Sequence, residues 1–199
     1  MLYCRPGRNR SSYVPLDHEI AGNLVRALSS YDSVLKGHYT DFVDNPALYP
    51  VYGVGAANIG PEFTAVECQA LRDLEKKEQQ FHKQRAIERT IETPSQMGLA
   101  LQNAVVESGR WKKWLSKDEI GKSFSELSQD RQDWLVQTGC RYIWTQDSVH
   151  QARKQLYVNL EKQGLDAHKI VIDRISDSIF GYYKAFNLIG LTSEIERNL

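Results

Sequence analysis

Three consecutive stretches decide the fold class: Ser33-Val34-Leu35-Lys36-Gly37-His38, then Thr40-Asp41-Phe42-Val43-Asp44-Asn45-Pro46, then Tyr52-Gly53-Val54-Gly55-Ala56-Ala57-Asn58-Ile59-Gly60-Pro61. The first is a short apolar run and reads as a buried strand, the second is a polar turn, and the third is a strand running into a small-residue loop. Upstream, Leu2-Tyr3-Cys4 reads as a further strand closed by Pro6-Gly7. Residues 17–31 read as a helix with Ile20, Leu24, Ala27, Leu28 and Tyr31 on one face. Strand, helix, strand, loop, strand is the order that βα units leave in a sequence, so a parallel sheet is expected.

Past residue 63 the pattern is helical. Thr64-Ala65-Val66-Glu67 has the form of a capping box and predicts a helix with Val66, Ala70, Leu71, Leu74 and Phe81 turned inward. Its later part, 72–92, carries both signs densely and reads as a solvated face laced with i,i+4 pairs. Thr93-Pro94-Ser95-Gln96 has the form of a second capping box, with proline at the first helical position, for a helix stopping at Gly109. Further helices are expected over 129–138, ended by Gly139, over 146–163, ended by Gly164, and over 167–183. The last shows a stripe of Ile172, Ile175, Ile179 and Tyr182 or Tyr183. The organisation expected is βα units over 1–92 and a helical region over 93–199 packed on the same domain.

Composition narrows the class. With 199 residues, 41% hydrophobic and 25% charged, the chain suits one sizeable core or two small ones, and neither a disordered tail nor a disulfide scaffold. Lys plus Arg and Asp plus Glu both number 25, so the net charge is zero and no basic excess argues for a nucleic-acid partner. Cys4, Cys68 and Cys140 are odd in number and form no CxxC pair. With no basic, apolar leader, they read as reduced thiols of a cytoplasmic protein. No apolar run reaches the roughly 18 residues of a membrane span. A complete eight-unit α/β barrel needs roughly 250 residues, so the chain is expected to be too short to close one alone.

The glycine-rich stretch 53–60 matches neither common phosphate motif. Asn58 stands where a dinucleotide fingerprint has glycine, and Gly60-Pro61-Glu62 stands where a P-loop has Gly-Lys-Ser/Thr. Two readings stay open: a tight strand-to-helix turn, or a loop whose small residues and helix head approach an oxyanion. In the second, Gly55, Asn58, Gly60 and Thr64 are the phosphate-binding candidates. His38 and Asp41 follow a strand, where barrel residues face substrate and a histidine–carboxylate pair suits acid–base work. They are the weak catalytic candidates, against a hydrogen-bonded turn satisfied by Asp41. Lys36, two residues earlier, shares the face of His38 and is a candidate anion contact. The five histidines make no HxH, HExxH or HxxE pattern, so no metal site is expected in this chain, and Gly-x-Ser-x-Gly is absent. His82 and His150 are expected to face solvent, and Trp111, Trp114, Trp134 and Trp144 to pack.

Leu35 to Phe42, then Gly53 to Thr64, then a helix with Ala70-Leu71, resemble the GatZ/KbaZ-like family, the so-called non-catalytic subunits of class II D-tagatose-1,6-bisphosphate aldolase. The family pattern has a His-Ser/Tyr-Thr-Asp-Tyr/Phe element and a Gly-Gly-Ala-Asn-Val-Gly-Pro-x-x-Thr element running into a helix. Arg174-Ile175-Ser176-Asp177-Ser178-Ile179-Phe180-Gly181-Tyr182-Tyr183 is similar to that family's Ser-Asp-Arg-Ile-Arg-Tyr-Tyr element but lacks the arginine after the aspartate. Arg5-Pro6-Gly7 is similar to the end of an earlier barrel strand.

The resemblance implies a partial (β/α) TIM-type barrel, its last two or three βα units, followed by a helical C-terminal region. It implies an accessory role in ketose-phosphate metabolism, with tagatose 1,6-bisphosphate or a related ketose phosphate near residues 55–64. It implies as partner a catalytic aldolase subunit or the missing barrel half, no cofactor in this chain, and zinc in a catalytic partner. Two other functions compete: a sugar-phosphate aldolase or epimerase in its own right, relying on His38 and Asp41, and a helical interaction module without catalysis.

Overall fold

The expected strands pair in parallel. In a computed structural model, which describes residues 2–3, 16–85 and 93–198, β1 (Leu2–Tyr3), β2 (Leu35–His38) and β3 (Val54–Ala57) form a sheet ordered β1-β2-β3. Leu2 sits beside Gly37, Leu35 beside Val54 and Gly37 beside Ala57, with an irregularity between Leu35 and Lys36. Helix α1 (His18–Ser29) lies between β1 and β2 in sequence, and the Asp17 carboxylate caps it by accepting the Ile20 N–H at 2.9 Å. The short α2 (Leu48–Val51) joins β2 to β3. Arg5-Pro6-Gly7 and Cys4 lie outside the described residues.

One packing expectation needs correction. In α1, Ile20 and Ala27 are exposed, as is Tyr31 past its end, and the inward face is Ala21, Leu24, Val25 and Leu28. That set is spaced i, i+3, i+4, i+7, and Leu24, Val25 and Leu28 pack on Leu35, Tyr49 and Val54. Gly53 shows why the turn before β3 has no side chain. Its φ is +79°, and a Cβ there would meet Val25 Cγ1 at 2.8 Å.

Helix α3 (Pro61–Arg85) begins three residues before the expected capping box. Pro61 takes the first helical position, where its missing N–H costs nothing, and Thr64 is the fourth residue of the helix rather than its cap. The second expected capping box is corrected in the same way. Ser95 spends its N–H and hydroxyl on the Glu78 carboxylate, at 3.1 and 2.5 Å, Gln96 is left-handed, and α4 (Met97–Ser108) starts at Met97.

A 3₁₀ turn (Arg110–Trp114), a second one (Phe124–Glu126), α5 (Gln129–Gly139), a third turn (Cys140–Tyr142), α6 (Asp147–Glu161), α7 (Ala167–Ala185) and α8 (Leu191–Arg197) complete the order. Leu71, Leu74, Leu101, Leu135, Leu156 and Leu160 are among the side chains that close the helical core, and α4 packs on α6. Trp111 is buried in this core and Trp114, Trp134 and Trp144 pack against it, as expected. Cys68 and Cys140 are buried free thiols. In α7 the expected stripe shifts: Ile172 is exposed and Val171 is buried in its place.

Glu78 is the exception to the solvated face expected over 72–92. It is 2% exposed and accepts from Ser95 and from Asn159 Nδ2, at 2.5 Å for the latter, and Asn159 also donates to the Thr93 carbonyl. His82 is half-buried, 3.9 Å from Glu78, rather than solvent-facing. The chain divides into two compact units, Met1–Phe63 with Ser176–Leu199, and Thr64–Ile175. The boundary expected at residue 92 lies outside the described residues.

Candidate functional site

The candidate residues gather where β2 and β3 end, the end of a parallel sheet at which α/β proteins bind their ligands. The ladder runs on past the strands. The Asn58 N–H donates to the Gly37 carbonyl at 3.1 Å, and Thr40 returns its N–H and its hydroxyl to the Asn58 carbonyl at 3.0 and 2.9 Å. Thr40 is fully buried. These bonds hold a strained segment, because Tyr39 and Phe42 both adopt left-handed backbone, with φ of 58° and 56°. For residues with bulky side chains that conformation costs about 1–3 kcal/mol each and persists only where neighbours over-determine it.

Asp41 and Glu62 supply that determination. One Asp41 carboxylate oxygen accepts the Gly60 N–H at 2.8 Å and the Glu62 N–H at 2.9 Å. It therefore caps the head of α3 from a position about twenty residues upstream, with its charge at the positive end of the helix dipole. Glu62 answers by accepting the Phe42 N–H at 2.5 Å. The same carboxylate accepts the Tyr182 hydroxyl at 2.5 Å and the Ser178 hydroxyl at 3.3 Å. The Tyr182 hydroxyl also lies 3.2 Å from the Thr40 carbonyl. Burial first, and then the Glu62 carboxylate, push the Tyr182 phenol well above its ordinary pKa.

The expected site residues are placed as follows. Lys36 is exposed on β2. His38 is half-buried, with Nδ1 3.3 Å from Asn58 Nδ2 and its ring 4.3 Å from that of Tyr39. Asp41 is 7% exposed. At Gly55 an added Cβ would meet the Val34 Cβ at 3.0 Å, so close packing against Val34 uses the missing side chain. Gly60 gives its N–H to Asp41. The structure thus brings His38, Asp41, Asn58 and Gly60 to one end of the sheet, with Lys36 two residues before His38 on β2. Arg174, in the C-terminal element, pairs with Asp73 at 2.7 Å.

Sequence reasoning missed Thr40, Glu62, Ser178 and Tyr182. The readable signal was Pro61-Glu62: a proline followed by an acid marks a helix start there, not at Thr64. Among the described residues no three His, Cys, Asp or Glu side chains converge, and no helix is long and apolar enough to cross a membrane.

A family model described as D-tagatose-1,6-bisphosphate aldolase subunit GatZ/KbaZ-like matches residues 8–186, most of the chain. The chain belongs to the GatZ/KbaZ-like family. In this GatZ/KbaZ-like chain the two stretches that carry the resemblance, 35–42 and 53–64, are the ones that Asp41 and Glu62 tie together. No curated protein and no solved structure matches it significantly.

Proposed function

We propose that this chain is an accessory, non-catalytic component of a class II D-tagatose-1,6-bisphosphate aldolase, working in cytoplasmic ketose-phosphate metabolism. Membership of the GatZ/KbaZ-like family supports the aldolase setting. The observation that carries the accessory role is the use made of the carboxylates. One Asp41 oxygen accepts two backbone N–H groups, and Glu62 accepts the Phe42 N–H and the Tyr182 hydroxyl, which supports reading both carboxylates as braces of the loops rather than as a base aimed at substrate. In this reading Lys36, His38 and Asn58 meet a ketose phosphate, with the ammonium of Lys36 as the anion contact.

The three strands pair in sequence order and in parallel, with α1 between the first two. That supports reading them as the last βα units of a (β/α) barrel whose remaining strands come from another segment. The partner is a catalytic aldolase subunit, which carries the zinc. Gly55, Gly60 and Thr64 line the loop in this reading without a direct bond to the ligand.

The test is aldol cleavage of D-tagatose 1,6-bisphosphate by a purified class II catalytic subunit, with and without this chain. The accessory role requires that the chain alone cleaves nothing and that its addition raises the activity or the thermal lifetime of the catalytic subunit. Cleavage by this chain alone, with a stoichiometric divalent metal, would instead establish an aldolase in its own right.

A further inference from the structure

The turns Arg110–Trp114 and Cys140–Tyr142 place Arg110, Lys112, Lys113 and Arg141 at exposed positions of the helical unit. Arg110 and Lys113 crowd one ring, Arg141 stands beside it, and the Lys112 Nζ lies 6.0 Å from the centre of Trp111. The Arg110 guanidinium carbon lies 4.8 Å and the Lys113 Nζ 4.3 Å from the centre of Tyr142. Lys113 Nζ also lies 4.2 Å from the centre of Trp114 and donates to the Tyr142 hydroxyl at 2.9 Å. The Lys113 hydrogen bond, and then the charges of Lys113, Arg141 and Arg110, hold the Tyr142 phenol below its ordinary pKa.

Among the described residues none of these four cations is paired with a carboxylate. Arg72, Arg131, Arg153, Lys169 and Arg174 all are. Arg110 and Lys113, with Arg141 beside them, thus hold positive charge without a carboxylate partner around one ring. Like charges held together attract a multivalent anion and speed its encounter.

The aromatic rings say which anion. Base stacking on single-stranded nucleic acid needs open ring faces. Here Lys113 stands over both Trp114 and Tyr142, Trp114 meets Trp134 edge to face at 6.5 Å, and Trp111 is buried. The cations are spread over two turns, which suits several carboxylates along an extended chain. Two of the four are arginines, whose planar forks accept carboxylates bidentately.

We propose that the surface around Tyr142, carrying Arg110, Lys112, Lys113 and Arg141, docks an acidic polypeptide segment, a short run of Asp or Glu on a protein partner. The docking does not depend on the aldolase reading.

The experiment is fluorescence anisotropy of a labelled decaglutamate peptide against the wild-type chain, the Arg110→Gln/Lys113→Gln/Arg141→Gln variant, and Lys169→Gln, which removes a paired lysine elsewhere. Oligothymidine of equal length is titrated in parallel. Peptide binding by wild type should weaken at least about tenfold in the triple variant and fall steeply as salt rises from about 50 to about 300 mM, with Lys169→Gln unchanged. Equal affinity in the triple variant, no peptide binding by wild type at low salt, or tighter binding of the oligonucleotide would overturn the proposal. If circular dichroism shows the triple variant unfolded, Arg141→Gln and Lys112→Gln are read singly; each should weaken the peptide severalfold, and no change in either counts against the docking surface.

Discussion

Asp41 and Glu62 exchange donors across two loops: Asp41 accepts the Glu62 N–H at 2.9 Å, while Glu62 accepts the N–H of Phe42, the residue after Asp41. A capping box does this within one turn of a helix. Here the same reciprocity spans the ends of β2 and β3, so the helix head and the left-handed loop after β2 stabilise each other. Neither loop keeps its shape if the other is released.

Asp41→Ala removes the acceptor for two N–H groups of a partly buried helix head. It should destabilise the protein by about 2 kcal/mol, while Asp41→Asn, which keeps one acceptor oxygen, should cost about half as much. Urea unfolding of the three proteins checks the order. Asp41→Ala with the wild-type midpoint would remove the cap.

Tyr182→Phe deletes the hydroxyl that reaches Glu62 and the Thr40 carbonyl, and should cost about 1–2 kcal/mol. Its pH dependence has a definite sign. The folded-state phenol is raised above its ordinary value of 10.0, so its contribution is complete below that pH and is lost as the pH rises through the folded value. Thermal melts from pH 8 to 11, about one unit apart, should show wild type losing stability above about pH 10 and Tyr182→Phe losing less.

Glu119 gives the opposite sign. Arg131 holds it with Nε at 2.9 Å from one oxygen and Nη2 at 3.0 Å from the other. That hydrogen bonding, helped by the Ser116 N–H, lowers the carboxyl from 4.5 to about 2. The stability it lends is present above 4.5 and disappears as the pH falls towards 2. Glu119→Gln should cost about 1–2 kcal/mol at neutral pH and flatten the acid limb of the stability curve. An unchanged acid limb would contradict this.

The strands and most helices were legible because their signals are local. Leu35 and Val54 sit in short apolar runs, and Gly109 and Gly164 end their helices with positive φ. The errors arose where a distant residue supplied what a neighbour usually does. Thr64 looked like a cap because the true cap, Asp41, lies in another loop. Thr93 looked like a cap because nothing local shows that its carbonyl accepts from Asn159 and that Ser95 turns to buried Glu78. The site was half legible for the same reason. His38, Asp41 and Asn58 stand in one readable cluster, but Tyr182 joins Glu62 from about 120 positions away, a pairing no spacing rule reveals.

The central claim is that Asp41 and Glu62 brace the strand ends so that Lys36, with His38 and Asn58, meets a ketose phosphate. The direct measurement is calorimetric affinity for D-tagatose 1,6-bisphosphate of the chain assembled with its catalytic subunit, wild type against Lys36→Gln. Lys36 is exposed and forms no ion pair among the described residues, so the variant keeps the fold. Loss of one charge-assisted contact, roughly 1.5–3 kcal/mol, predicts affinity about tenfold to a hundredfold weaker in Lys36→Gln. Equal affinities in the two assemblies would contradict the claim.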